Sequence, residues 1–415
     1  MTTSDERLLS GADYFLLWMG AAISLAEIWA GGLLAPLGLV AGLAAILLGH
    51  AIGNTPMALG GIIGSRHGVP AMISTRDALG RRGSYLPAAL NVIQLTGWTA
   101  VMLRICGQAA DAAAPGDGGI GVRGWIVVAG VLTTAWSLAG HGIRRWLQRG
   151  AVVLLAGLSL LMTGVVFRRF GFADLLALRP DGTLPFGQGL DLVIAMPISW
   201  LPLVADYSRF ARNSRGCFWG TWWGYLLAGS WMYAVGLCAA LATRTASPDG
   251  MVMGLMAETG LAGPALLIII LSTITTTFLD MYSTAVSVRS LAPKLNERAV
   301  IAGGGLLGTL LAVGFPAAEY ESFLLFIGAL FCPLFGVVLA DYFILRRMQF
   351  GPAPEGIRPA AMLAWAAGFA LYQLATRRAW ALGASLPALL GAAAIHLALH
   401  AAGRRHAGLS SGGPS

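Results

Sequence analysis

Charge is what this chain is short of. Only 11% of its 415 residues are Asp, Glu, Lys or Arg, while 57% are hydrophobic. A soluble domain of that length carries about a quarter charged residues, so a soluble globular protein is excluded and a polytopic membrane protein is expected. Cysteine is scarce as well. Cys106, Cys217, Cys238 and Cys332 are scattered, and no two have metal or redox spacing. There is no Walker loop, no nucleophile elbow and no metal-ligand cluster. An ATP-driven pump and a membrane hydrolase therefore find no support, and neither an enzymatic activity nor a bound cofactor or resident metal is expected. The N-terminal stretch MTTSDERLLSGAD lacks a signal-peptide pattern. The formal net charge of +8 fits the Lys/Arg excess that orients membrane proteins, not nucleic-acid binding.

What the chain has in abundance is apolar runs and glycine. The 56 glycines suit close helix–helix contacts, for example Gly60-x-x-x-Gly64 and Gly304-x-x-x-Gly308. Apolar runs long enough to span a bilayer fall near 14–37, 38–65, 85–110, 122–140, 146–167, 189–208, 219–243, 263–288, 299–315, 320–345, 359–376 and 381–400. The expectation is an all-α protein of about twelve spans. Arg and Lys alternate between the connections: 19 lie on the side of the N-terminus and 7 on the other. That asymmetry places both termini in the cytoplasm, with the protein in the cell's inner or plasma membrane. The tail GRRHAGLSSGGPS reads as disordered.

Against this background polar residues at membrane depth stand out. Span eight contains LSTITTTFLDMYSTA, Leu271 to Ala285. Thr273, Thr276, Asp280, Ser283 and Ser287 share one helical face. A lone acid at the bilayer centre costs about 2.5–3.5 kcal/mol even on the gentlest insertion scale. The stripe must therefore face protein, a cavity or an ion, which suggests that a polar solute or cation is handled inside the membrane.

Span one carries Glu27 beside small residues and the pair Gly31–Gly32. Adjacent glycines weaken a helix, and irregular backbone at depth is tolerated where it lines a cavity; an interrupted helix with Glu27 at the break is expected. Glu27 paired with a neighbouring helix for structure alone is the plainer alternative. Span six holds Pro197 and Pro202 around Trp200, which suggests a second broken helix, with a simple kink as the alternative. Interruptions at corresponding positions of two halves point to an inverted-repeat transporter with a midplane site. In span three Asn91, Gln94 and Trp98 share a face, and a central Trp98 is either a stacking platform for a flat ring or a packed core aromatic. Arg104 is expected to reach from the helix end toward the outer surface, with Glu27 or Asp280 as an alternative partner. Local salt bridges are expected for Asp206 with Arg209 and for Asp341 with Arg346. His50 reads as a satisfied core group.

These residues resemble the nucleobase–cation symporter-1 family, the purine, cytosine, hydantoin and related permeases. The resemblance is carried by GAAISLAEIWAGG in span one, GWTAVM at Gly97–Met102, ISWLPLVADYSRF at Ile198–Phe210 and TTTFLDMYSTA at Thr275–Ala285, and covers spans one to ten. Within the family the chain looks most like the hydroxymethylpyrimidine transporter subgroup. The resemblance implies a leucine-transporter-like fold of two inverted five-helix repeats, 14–167 and 189–345, with two further helices at 359–400 and cytoplasmic tails at 1–13 and 401–415. It implies a secondary active transporter importing a pyrimidine or nucleobase-like ring, hydroxymethylpyrimidine or cytosine, by alternating access with a cation. A purine or allantoin/hydantoin permease, or a cation-independent facilitator or channel, are the alternatives.

By position, the resemblance gives Trp98 and Trp200 the two ring faces, and Glu27 and Asp280 the polar contacts to the substrate; Gln94, on the same helical face as Trp98, is a further candidate contact. Met102 stands where the family often has a glutamine. A sodium site would use carbonyls around Ile23 and Ala26 with a hydroxyl pair, Thr275–Thr276 or Thr276–Thr277. Protons are the rival coupling ion, with Glu27 or Asp280 as the titrating carboxyl. Carboxylates in place of the family's amides suit an amino-substituted ring better than uracil or hydantoin, because an ionised carboxylate only accepts.

Overall fold

The computed structural model describes residues 2, 6–113, 120–139, 150–157, 159–161, 163–164, 168, 171–244, 262–314, 316 and 319–410. Arg144, Arg145, Arg149 and Arg169, parts of the expected fifth span (146–149, 158, 162 and 165–167), the last residues expected of spans four and nine (140 and 315), most of the first five residues and the end of the tail from 411 lie outside the described residues.

Helix follows helix, and among the described residues no strand forms beyond one isolated bridge between Leu9 and Ala211. Nine helices among these residues are long and apolar enough to cross a membrane. Large apolar side chains such as Val40, Leu47, Ile93, Val131, Leu306 and Leu310 are exposed on the outside, as a lipid-facing surface requires.

Span one is broken in two: Gly11–Ala22 and Leu25–Gly32. The break lies at Ile23 and Ser24, where the backbone becomes extended (Ser24 φ −142°, ψ 156°), and not at the Gly31–Gly32 pair. Ser24 acts as the N-cap of the second half, its Oγ accepting from the Glu27 amide at 3.3 Å. The glycines serve packing instead. A Cβ on Gly31 would strike the Tyr233 backbone, and one on Gly236 the Ile28 carbonyl, so spans one and seven meet backbone to backbone.

Span six is the counter-example. It runs unbroken as Phe186–Ser208 through both prolines. Each proline deprives the carbonyl four residues earlier, that of Val193 or Ile198, of its donor, and side chains of spans three and seven bond other carbonyls of the same stretch. The Gln94 amide donates to the Ser199 carbonyl (2.8 Å), the Asn91 amide to that of Pro202 (3.3 Å), and the Tyr233 hydroxyl to that of Leu192 (3.2 Å). A second broken helix is therefore not present.

The helices gather into three packed groups. Spans one, two (Gly38–His67), six and seven (Ser214–Thr243) form one; spans three (Tyr85–Ala113), four (Gly121–Leu138), eight (Ala262–Leu291) and nine (Glu297–Gly314) form another. Span ten (Tyr320–Ala340, continued by a π-helical turn, Asp341–Leu345) packs with the helices Pro359–Arg377 and Ser385–Ser410. Gly60 and Gly64 of span two lie on span six, against Leu201 and Ser208, and Gly308 of span nine lies on Thr99 of span three. The first two groups touch sparingly, where the halves of span one and span six meet spans three and eight.

Candidate binding site

The break in span one opens the seam between those two groups. A narrow, nearly filled cleft with a free volume of about 10 Å³ lies there, lined by Ser24, Glu27, Trp98, Trp200, Thr276 and Asp280, with Ala21, Ala26, Met102, Met196 and Ser199. Four of the five residues expected at a substrate line it: Glu27, Trp98, Trp200 and Asp280. They arrive from spans one, three, six and eight. Gln94 is not among the lining residues. Its amide is bonded to Asn91 Oδ1 (3.1 Å) and to the Ser199 carbonyl, so it props span six instead of facing the cleft.

Trp98 is edge-on to Tyr320 and Phe323, with ring centroids 6.0 and 5.5 Å away. Tyr320 stacks on Trp29 at 4.3 Å and donates to the Ala26 carbonyl at 3.0 Å. On the other side Trp18 sits edge-on to Trp200 and Tyr207, at 5.7 and 6.2 Å. Each of the two cleft-lining indoles is thus backed by further aromatic rings. Asp280 is buried, and among the described residues no donor bonds its carboxylate. Glu27 Oε1 accepts from the Tyr225 hydroxyl, while Oε2 is buried without a partner among the described residues.

The residues expected at a cation are distributed less simply. The Ile23 carbonyl, freed by the break, accepts from Ser272 Oγ at 3.2 Å. Thr275 turns back to the carbonyls of Leu271 and Ser272 (2.8 and 3.2 Å). The hydroxyls of Thr276 and Thr277 are buried with no partner among the described residues, and Thr276 lines the cleft. The Ala26 carbonyl lies one turn from Ile23 but is held by Tyr320. The hydroxyls of Thr276 and Thr277 are therefore free to serve an ion, and that of Thr275 is engaged.

Two readings, those of Asp206 and His50, are corrected, and the expected bridge of Asp341 with Arg346 is present. Asp206 does not bridge Arg209: its Oδ1 accepts from the Ala71 amide (2.9 Å), and Arg209 donates to the Tyr282 hydroxyl (2.8 Å), linking spans six and eight. Asp341 does meet Arg346 (2.7 Å), but also Arg358 (3.3 Å) and His396 (3.1 Å). His50 is only half satisfied: Nδ1 is bonded to the Ile46 carbonyl (3.0 Å), and Nε2 is buried without a partner among the described residues. Arg104 reaches the Val313 carbonyl (3.5 Å), with no contact to Glu27 or Asp280. Sequence reasoning missed Tyr225, Ser272 and Tyr320. Tyr225 is a single hydroxyl inside an apolar run, Ser272 one hydroxyl among many and Tyr320 lies between two acids; only folding brings each to the second half of span one or its break.

A buried cleft inside a helical membrane bundle, flanked by indoles and armed with carboxylates, is what a permease for a flat polar ring requires. The chain matches, over residues 2–354, the family described as "Permease for cytosine/purines, uracil, thiamine, allantoin", and it belongs to that family. It is 27% identical to the cytosine permease of Escherichia coli (strain K12) over 337 residues, which is 79% of this chain and 77% of that one. It is 23% identical over 387 residues to the purine-uracil permease NCS1 of Arabidopsis thaliana, covering 84% of this chain and 63% of that one. Its fold is similar to that of Mhp1, a nucleobase-cation-symport-1 family transporter in a closed conformation with bromovinylhydantoin bound: TM-score 0.84, 18% identity, 96% of this chain and 93% of that one.

Proposed function

We propose that this permease imports an amino-substituted pyrimidine, hydroxymethylpyrimidine or cytosine, together with a cation, by alternating access across the cell membrane with both termini cytoplasmic. The observation that carries the reading is the placing of two carboxylates, Glu27 and Asp280, in one cleft with Trp98 and Trp200. The indoles offer faces on which a planar ring stacks. A carboxylate accepts from an exocyclic amino group, and its protonated form donates to a ring nitrogen. The carbonyl edges of uracil or a hydantoin offer a carboxylate no amino donor.

Sodium is the favoured coupling ion, because the free hydroxyl of Thr276 in the cleft and the carbonyl of Ile23 at the break are hard oxygen donors, with the free hydroxyl of Thr277 next along the helix. Coupling follows if cation and ring jointly favour one conformation of span one against span eight. Competition uptake in proteoliposomes tests this, with cytosine, hydroxymethylpyrimidine, adenine, uracil and allantoin as competitors and sodium and pH varied independently. Stronger competition by uracil or allantoin than by the aminopyrimidines rejects the substrate assignment. Uptake that never exceeds equilibration under any cation gradient rejects the symporter. Asp280→Asn separates two roles: a changed substrate preference shows that the acid reads the ring, and a changed pH dependence alone shows that it carries a proton.

A further inference from the structure

Glu27 does not face the cleft as a free carboxylate. Tyr225 of span seven is fully buried, and its hydroxyl lies between the Trp200 indole and Glu27. Trp200 Nε1–H donates to the Tyr225 oxygen at 2.9 Å. An indole N–H can only donate, so the Tyr225 oxygen is an acceptor there and its own proton is directed at Glu27 Oε1. The order of the chain, Trp200 to Tyr225 to Glu27, is thus set by chemistry. It makes Oε1 an acceptor whether Glu27 is ionised or not. Oε2, without a partner among the described residues, is the oxygen left for a ligand.

Resting on the proposed function, we propose that Tyr225 is a positioning residue for substrate selection. It ties Oε1, and so presents a single carboxylate oxygen, Oε2, to the ring's amino group. It also ties that carboxylate to the indole that covers one face of the ring, so acceptor and stacking surface are held as one unit from three spans. The Glu27 amide, bonded to Ser24 Oγ, pins the same residue from its backbone side. Other titratable groups surround the pair. Tyr233 donates to the Leu192 carbonyl and Tyr320 to the Ala26 carbonyl, His50 lies 6.0 Å from the Tyr225 ring, and Asp280 lines the same cleft. Of these only Tyr225 bonds the Glu27 carboxylate among the described residues.

The test is Tyr225→Phe, which removes one oxygen, assayed for cytosine and uracil in parallel and combined with Glu27→Gln. The apparent KM for cytosine should rise about tenfold, what one hydrogen bond to a charged group is worth. That for uracil should change little, so discrimination shrinks while Vmax is retained. In the Glu27→Gln background the same substitution should add no further loss of discrimination, because Tyr225 acts through Glu27. A purely structural role would instead lower Vmax for both substrates alike and add to Glu27→Gln. Unchanged discrimination in Tyr225→Phe, or such additive losses, overturns the proposal. If the Phe variant is lost from the membrane, Tyr225→His, which keeps a ring donor, takes its place. Retained discrimination that vanishes with Glu27→Gln supports the proposal, and discrimination lost with Glu27 intact overturns it. Failure of the wild type to take up any aminopyrimidine counts against the proposed function itself and is read separately.

Discussion

At the residue scale the span-eight hydroxyls divide by what already holds them. Thr275 is bonded within its own helix, as Ser and Thr commonly are at depth, whereas Thr276 has no partner among the described residues and borders the cleft. Thr276→Ala is therefore expected to raise the sodium concentration for half-maximal uptake about tenfold, the equivalent of about 1.4 kcal/mol. Thr275→Ala should leave it within about twofold. Sodium titration of initial uptake rates checks this, and the reverse pattern would move the cation site by one residue. The threonine run and both carboxylates were legible in the sequence because polar groups are costly in lipid. Which hydroxyl is free was not, since a stripe at helical spacing does not reveal bonds to the preceding turn.

At the element scale the two span interruptions had different fates. Span one breaks at Ile23–Ser24 because Ser24 caps a new helix and Ser272 receives the freed carbonyl. Span six stays helical through Pro197 and Pro202 with amides of span three bonded to its carbonyls. Glycine was legible as a packing residue, but not which glycine met which backbone. Gly236 lies on the Ile28 carbonyl, while Gly303 has nothing near its missing Cβ. Gly236→Ala should cost about 1–3 kcal/mol, as overpacking does. Gly303→Ala should be neutral or stabilising by up to about 1 kcal/mol, from helix propensity. Thermal unfolding of the two variants in detergent compares them directly.

At the scale of the whole molecule the last two helices, which carried no interpretable motif, turn out to be tied to the transport core by two aspartates. Asp191 of span six accepts from the Ala384 and Ser385 amides (2.7 Å each) and so caps the final helix. Asp341, at the end of span ten, joins Arg346, Arg358 and His396, while Arg346 and Arg358 also hold the Asp77 carbonyl (2.8 and 2.7 Å). Arg346 and Arg358, two of the arginines counted on the side of the N-terminus, meet in this network. Asp341→Asn leaves two partly buried guanidinium groups underpaired. Removing one member of a buried pair costs about 3–5 kcal/mol; with Arg346 and Arg358 about a quarter exposed, about 1–3 kcal/mol is expected after solvent screening. A lowered midpoint of thermal unfolding, with substrate selectivity intact, is the outcome to look for. A selectivity change at unchanged stability would give Asp341 a different role.

The sequence by itself determined that this is a helical membrane protein with polar groups at depth, because hydropathy and the cost of a buried acid need no tertiary contact to be read. It also singled out Glu27, Trp98, Trp200 and Asp280, since each is a residue type that lipid or an ordinary helix core disfavours in its place. Only the tertiary structure decided that these four share one cleft, that Gln94 props span six, and that Tyr225, Ser272 and Tyr320 meet the break in span one. Those are relations between spans far apart in the chain. A lone hydroxyl in an apolar run looks alike whether it faces its own helix or another helix's open carbonyl.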